Sequence, residues 1–385
     1  MKILLLGEYS NVHNTLAQGL RQLGHDVTVA SNGDFWKDYP RDIDLARTPG
    51  KLGGIRLMAE VYRQLPHWRG YDVVQLINPM FLELKAERIG PVYRYLRRHN
   101  KKMVLCAMGM DYYWVHENIT RKPLRYSDFN IGEQLRTGPV ALRDRDDWLD
   151  TPKGRLNQLI AHDCDAIVAT PYEYYACYQP LFPEKTTFIP FPINSRDSSQ
   201  SRNSRKSSQS RNSRDSSLSR ESSLSRDSRS PLKLFIGISR GRSAYKGTDI
   251  MLRAAEDMQR QYPDRLEIIK AEGLPFEEYQ RLMDGSDAIM DQLYSYTPAM
   301  NALLAMSKGI VVIGGGEEEN YEILGERELR PIVNVQPTYD SVRHELEQLV
   351  LHPERIATLK QQSQEYVTRH HDYLKVARQY EQLYS

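Results

Sequence analysis

The chain has 385 residues, 40% hydrophobic and 26% charged, with a net charge of +2. That length exceeds one ordinary core and predicts two domains of roughly 150 residues each, and the apolar content excludes a wholly disordered protein. Nine Lys/Arg against four acids fall within residues 195–230, so the remainder is mildly acidic, which excludes a protein built around a basic nucleic-acid-binding face and leaves no DNA partner to expect.

Cys106, Cys164 and Cys177 lack any Cys-x-x-Cys or Cys/His ligand spacing, so no disulfide framework and no metal site are assigned, and all three read as small buried residues. The N-terminal apolar run Ile3 to Leu6 stops at Gly7, short of a signal-peptide core, and no stretch approaches ~20 apolar residues. A cytoplasmic protein is expected. Peripheral contact with the inner face of a membrane stays open, although no strongly basic amphipathic helix stands out.

In chain order, KILLLGEY opens with a strand, a helix follows over Asn14 to Leu23, and VTVA at Val27 to Ala30 is the next strand. Further strands are expected at Asp72 to Ile77, Met103 to Ala107, Ala166 to Ala169 and Thr187 to Ile189, with helices such as Val92 to His99 and Lys153 to His162 between them. This predicts a doubly wound domain of about six parallel strands over residues 1–194. Residues 195–230 repeat Ser-Arg-X-Ser-Ser units almost without apolar side chains, which predicts a disordered insert at a domain boundary. An RNA-binding role for this segment is the alternative, but no RNA partner is expected.

The strand-helix rhythm resumes over 231–365. Strands are expected at Lys233 to Ser239, Leu266 to Ala271, Ala288 to Leu293, Ile310 to Gly314 and Pro331 to Val335. Helices are expected at Thr248 to Tyr262, Phe276 to Met283, Ala299 to Ser307 and Tyr339 to Leu351, with a bent or broken one from Pro353 to Tyr384. The fold class is therefore α/β, with two Rossmann-like doubly wound domains facing across a cleft, and ligands expected at the carboxyl ends of their strands.

The first strand runs into Gly7-Glu8-Tyr9-Ser10 without the GxGxxG fingerprint, so no nicotinamide or flavin cofactor is expected, though Gly7 lets a backbone approach a ligand. His13 on the next turn is either a surface histidine, the favoured reading, or an acceptor-side residue beside Gly7. Asp111, after a buried strand and a glycine, is a candidate catalytic acid or equally a turn cap. In the second half, Arg240 leaves the first strand and Lys246-Gly247 leads into a helix, an arrangement that either brings two cations together on a diphosphate or is a solvated loop with ordinary surface cations. Tyr296, Thr297 and Asn301 offer hydroxyls and an amide, with Thr297 expected to cap a helix and Pro298 in its first turn. Tyr294 and Tyr296 as packing aromatics is the open alternative. The run Glu317 to Glu319 reads as a solvated loop, while Glu322 is the candidate catalytic acid for the cleft.

These segments, in this order, resemble a GT-B-type glycosyltransferase, most closely the retaining glycosyltransferase family 4. The resemblance is carried by Arg240, Lys246 and Gly247 with LRAAE at Leu252 to Glu256, by YDVVQLINP at Tyr71 to Pro79 and CAMGMD at Cys106 to Asp111. DCDAIVATPYE at Asp163 to Glu173, FIPFPIN at Phe188 to Asn194, LAMSKGIVVIGGG at Leu304 to Gly316 and Glu322-Ile323-Leu324 extend it across the chain. It implies an N-terminal acceptor domain over 1–194, a C-terminal nucleotide-sugar domain over 231–365, and a helix over 366–385 returning to the first domain. It also implies metal-independent sugar transfer, with retention, from a nucleotide-sugar to a glycan or lipid-linked acceptor in polysaccharide assembly, the nucleotide-sugar being a substrate and no cofactor being needed. Where the family has glutamates separated by seven residues this chain has Tyr296 and Leu304, and Met108 replaces a frequent histidine. A homologue that binds nucleotide or a partner protein without turnover is therefore the alternative.

Overall fold

The structure, a computed structural model, describes residues 1–50, 52–195, 230–239 and 241–385. Arg240 and the Ser/Arg segment from 196 to 229 lie outside the described residues. Contacts divide the chain into two compact units, Met1–Pro192 with Tyr373–Ser385, and Ile193–Asp372. Both are α/β.

The first unit contains β1 (Lys2–Leu6), β2 (Asp26–Ser31), β3 (Ile43–Asp44), β4 (Val73–Leu76), β5 (Lys102–Ala107), β6 (Asn130–Ile131), β7 (Gln134–Leu135), β8 (Ala166–Ala169) and β9 (Thr186–Phe188). Seven of these form a parallel sheet in the order β3-β2-β1-β4-β5-β8-β9, and β6 pairs with β7 in a separate antiparallel hairpin. Ile3, Leu4, Leu5 and Leu6 are fully buried, as expected of a central parallel strand with both faces covered. The two-residue β3 raises the sheet beyond the six strands expected, because a pair of residues carries no readable alternation.

The helix Tyr373–Tyr384 packs on the helix Val12–Gln22 of this unit. Their approach is close at Gly19, where an added Cβ would lie 2.7 Å from the Ala377 Cβ. Gln22 Nε2 donates to Tyr373 Oη at 2.8 Å, and Lys102 Nζ donates to the Leu383 and Tyr384 carbonyls at 2.9 and 3.1 Å.

The second unit contains β10 (Leu232–Ile238), β11 (Leu266–Glu272), β12 (Ala288–Met290), β13 (Val311–Gly314) and β14 (Val333–Asn334), a parallel sheet in the order β11-β10-β12-β13-β14. Its core joins Leu234 and Ile236 to Met251, Ala255 and Met258 of the helix Thr248–Gln261 and to Leu346 of Tyr339–Leu351.

The long terminal helix expected from Pro353 is broken. Glu354–Tyr366 is followed by a π-helical turn, Val367–His371, and residues 366–372 group with the second unit rather than with the returning helix. The buried Glu326 carboxylate holds that turn, accepting from His370 Nε2 at 2.6 Å and from Arg369 at 3.2 Å. Burial alone would raise this carboxyl, but the His370 and backbone hydrogen bonds and the Arg369 charge outweigh it and hold the group at about 2. Among the described residues no helix is long and apolar enough to cross a membrane.

Candidate functional site

In each sheet the chain moves outward and then returns to the other side of its starting strand. The reversal falls between β1 and β4 in the first unit and between β10 and β12 in the second. Open parallel sheets bind ligands at the carboxyl ends of the strands flanking such a reversal. Two places therefore follow from topology alone.

At the second-unit reversal, Gly247 separates the helices Ser243–Lys246 and Thr248–Gln261 with φ +75°. An added Cβ there would lie 2.5 Å from the Leu293 Cβ, so both backbone conformation and packing demand glycine. Lys246 is half-buried, and its carbonyl accepts the Leu293 N–H at 3.0 Å, which ties the loop after β10 to the loop after β12. Asp291, directly past β12, faces the Lys246 charge. Burial pushes its carboxyl up, and Lys246 with the Ala299 and Gln292 N–H groups pulls it only partly back.

Asn301 Nδ2 donates to Tyr279 Oη at 3.1 Å, and the Tyr279 ring covers Gly237 of β10, where a Cβ would lie 2.6 Å from the hydroxyl. Burial pushes the Tyr279 phenol up to about 12. Sequence reading missed Tyr279 because nothing in PFEEYQRLM distinguishes it from a core aromatic. The Gly314-Gly315-Gly316 loop passes so close to the loop after β12 that a Cβ on Gly315 would meet the Ser295 carbonyl at 2.1 Å.

Several expectations at this place are corrected. Thr297 does not cap the next helix, which begins at Met300 with Ala299 as its cap. Ser295 Oγ donates to the buried Thr297 carbonyl at 2.8 Å, continuing the turn past Pro298. Tyr296 is 1% exposed, a packed aromatic whose carbonyl accepts the Glu317 N–H at 3.1 Å. Leu304 is half-buried. Glu317 belongs to no solvated run, since it is buried and its carboxylate accepts from Asn334 Nδ2 at 3.1 Å and Gln336 Nε2 at 2.6 Å. Glu322 is exposed on the helix Glu318–Leu324.

At the first-unit reversal lies a cavity of about 670 Å³, lined by Gly7, Glu8 and Tyr9 after β1, by Ile77, Met80, Phe81 and Leu82 after β4, and by Arg47, Lys85 and Lys153. Gly7 has φ +82°, and a Cβ there would lie 2.4 Å from Ile77 Cγ2. Glu8 is buried and accepts the His13 and Asn14 N–H groups at 3.2 and 2.8 Å, so the chain's own carboxylate takes the donors at this helix start. Burial pushes Glu8 up to about 8 against those hydrogen bonds.

His13 is not a surface residue. It is fully buried, with Nδ1 2.8 Å from the Gly7 carbonyl and Nε2 3.1 Å from Gln75 Nε2, while Tyr384 Oη donates to Gln75 Oε1 at 2.6 Å. A carbonyl only accepts, so Nδ1 carries the proton and Nε2 accepts from the Gln75 amide. Burial holds the neutral ring and lowers His13 to about 4. The returning helix is what encloses it. Asp111 is also fully buried and does cap a helix: Oδ1 accepts the Trp114 N–H at 2.7 Å, Oδ2 accepts from Tyr178 Oη at 2.8 Å, and burial raises the carboxyl to about 7. Both oxygens are engaged within the unit. All three cysteines are buried, and burial pushes their thiols up.

The Glu8 and His13 shifts predict a pH profile. A carboxyl raised from 4.5 to about 8 makes the folded state bind the extra proton, so its contribution is complete below about 4.5 and is lost as pH rises through about 8. His13, lowered to about 4, acts oppositely and only below its ordinary 6.5. Between pH 6.5 and 8 the melting temperature should therefore fall in the native chain, and Glu8→Gln should flatten that slope in a thermal-melt series.

No protein-family model and no curated protein sequence matches the chain. Solved structures do. The Anabaena protein HepE in complex with UDP and glucose is 13% identical with a TM-score of 0.56, over 99% of this chain and 98% of that one. UDP-GlcNAc 2-epimerase from Neisseria meningitidis, bound to UDP-GlcNAc, is 12% identical with a TM-score of 0.56, over 99% of each chain. Sucrose-phosphate synthase from Thermosynechococcus elongatus is 14% identical with a TM-score of 0.55, over 100% of this chain and 98% of that one. At such identities the likeness shows the fold, and it spans both units: the two Rossmann-like α/β bodies are of the GT-B class.

Proposed function

We propose that the protein transfers a sugar from a nucleotide-diphosphate donor to a glycan or lipid-linked acceptor. The observation that carries this reading is the gathering of Lys246, Gly247 and Asn301 at the carboxyl ends of β10 and β12, beside the reversal in strand order. In this reading Lys246 and Arg240 meet the charge of the leaving diphosphate, with no metal ion required, and Gly247 lets the backbone close on it. Tyr296 and Thr297 act through their backbone and turn, and the exposed Glu322 faces sugar hydroxyls. Gly7 and the first-unit cavity hold the acceptor, while His13 and Asp111 serve the scaffold. Retention of anomeric configuration is part of the proposal and rests on the family resemblance alone.

HepE structures with UDP, glucose and UDP-glucose, and the epimerase with UDP-GlcNAc, make UDP-sugars the first donors to try. A donor at 100 times its Kd should stabilise the fold by about 2.7 kcal/mol, so a melting screen of UDP-, GDP-, ADP- and CDP-sugars identifies the base. Nucleotide release in the presence of an acceptor then establishes transfer. The buried Tyr296 and half-buried Leu304, standing where the resemblance has carboxylates, favour a second reading as a nucleotide-binding protein without turnover. Binding with no nucleotide release would select it.

A further inference from the structure

We infer that Asp291 is a specificity-determining residue of the proposed donor site, whose carboxylate disfavours the spent nucleoside diphosphate relative to the sugar-bearing donor. This role rests on the donor reading above and adds to it a separation of substrate from product. Asp291 stands directly past β12, where its own N–H still donates to the Ile313 carbonyl of β13 at 3.0 Å. The sheet therefore fixes its backbone at the reversal between β10 and β12. The side chain is fixed as well. Its carboxylate accepts the N–H groups of Gln292, next in the chain, and of Ala299, the cap of the helix Met300–Ser307. Gly314 of β13 lies alongside, where an added Cβ would stand 3.4 Å from the Asp291 Cβ.

The charge that Asp291 faces is Lys246, on the loop that the Leu293 N–H ties to its own through the Lys246 carbonyl. Tyr279 of the helix Phe276–Asp284 also faces it, a phenol that burial and the Asp291 charge push up to about 12 and so keep neutral. Glu317, in the neighbouring glycine loop, turns its carboxylate to Asn334 and Gln336. Burial raises the Asp291 carboxyl, while Lys246 and the two N–H groups favour its charged form. An anion arriving on Lys246 therefore meets a carboxylate that is held in place and already shares the same cation. A diphosphate needs no such carboxylate in order to bind, and close to one it is repelled.

That repulsion acts unequally on the two ligands. A nucleoside diphosphate ends in a free phosphate whose second ionisation falls at about pH 6, so above that it carries one more negative charge than the same diphosphate esterified to a sugar. Coulomb energy grows with this charge and is weakly screened at a half-buried place. Lys246 alone would favour the more charged product. Asp291 offsets that preference as a repulsive element set against the competitor. Spent nucleotide then leaves more readily, which raises turnover wherever release is the slow step.

Calorimetry of the full chain with UDP and with UDP-glucose, at about pH 8 and about pH 5, tests this role. Asp291→Asn keeps an oxygen for the loop N–H groups and removes the charge. In the alkaline series it should tighten UDP about fivefold more than UDP-glucose. In the acid series, where the terminal phosphate has taken up a proton, that difference should shrink below about twofold. Asp291→Glu, which keeps the charge, should stay closer to the native ratio of the two affinities. A melting curve checks the fold, and Asp291→Ser takes the place of the amide if that variant does not fold. Affinities that fall together in Asp291→Asn would overturn the proposal, since a merely structural role moves both ligands alike. So would a variant that loses UDP more than UDP-glucose. A native chain that binds UDP-glucose through Lys246 but shows no such difference leaves the donor reading standing and this role refuted. Binding of neither ligand by the native chain would end both.

Discussion

Lys246→Ala is expected to weaken UDP-sugar binding by about 10- to 100-fold in calorimetry, the effect of removing one charge-assisted hydrogen bond of about 1.5–3 kcal/mol. If Lys246 also meets charge that grows on the leaving diphosphate, nucleotide release should fall further than binding does. The link between the loops after β10 and β12 runs through the Lys246 backbone carbonyl, which alanine retains, so any loss of melting temperature should come from the buried Asp291 carboxyl, which loses the charge it faces. Lys246→Arg, with a forked and bulkier head, should recover part of the affinity. Unchanged affinity in Lys246→Ala would remove this residue from the site.

Deleting residues 373–385 should abolish the cooperative fold of the first unit. Tyr373, Val376, Tyr380 and Tyr384 are buried there, and at about 1.5–3 kcal/mol for each large apolar side chain the helix contributes on the order of 6–12 kcal/mol as an upper estimate. That is comparable with the whole stability of an ordinary domain, about 5–15 kcal/mol. The loss also strips Tyr384 Oη from Gln75 and so exposes the buried relay to His13. All four tryptophans lie in the first unit, so urea unfolding followed by tryptophan emission reads this unit alone. Gly19→Val should give a milder version by wedging the two helices apart at Ala377. A truncated chain with an unaltered transition would contradict this account of the terminal helix.

What could be read from the chain is what local pattern encodes. The apolar run Ile3 to Leu6, the strand at Ala166 to Ala169 and the helix at Tyr339 to Leu351 each show their period within a few residues, and the structure places them there. Gly247 stands out in the sequence only as part of Lys246-Gly247 at a helix start, and its left-handed backbone and its conflict with Leu293 need the fold to be seen. Long-range enclosure was not legible. His13 is buried by partners 62 and more residues away, first Gln75 and through it Tyr384, and no local pattern announces that. Glu8 reads as an ordinary polar residue after a strand until the chain folds it back onto the N–H groups of His13 and Asn14. The Gly53–Gln64 helix has enough apolar residues for two stripes, and only burial separates the stripe that packs from the one that does not.

Hydrogen exchange with and without UDP-glucose tests the central claim most directly. The account predicts slower exchange, on adding donor, in the segments 241–248 and 291–301 that flank the second-unit reversal, with the 7–14 segment unchanged because its N–H groups already serve Glu8. Protection confined to 7–14, or none in either second-unit segment at saturating donor, would contradict it.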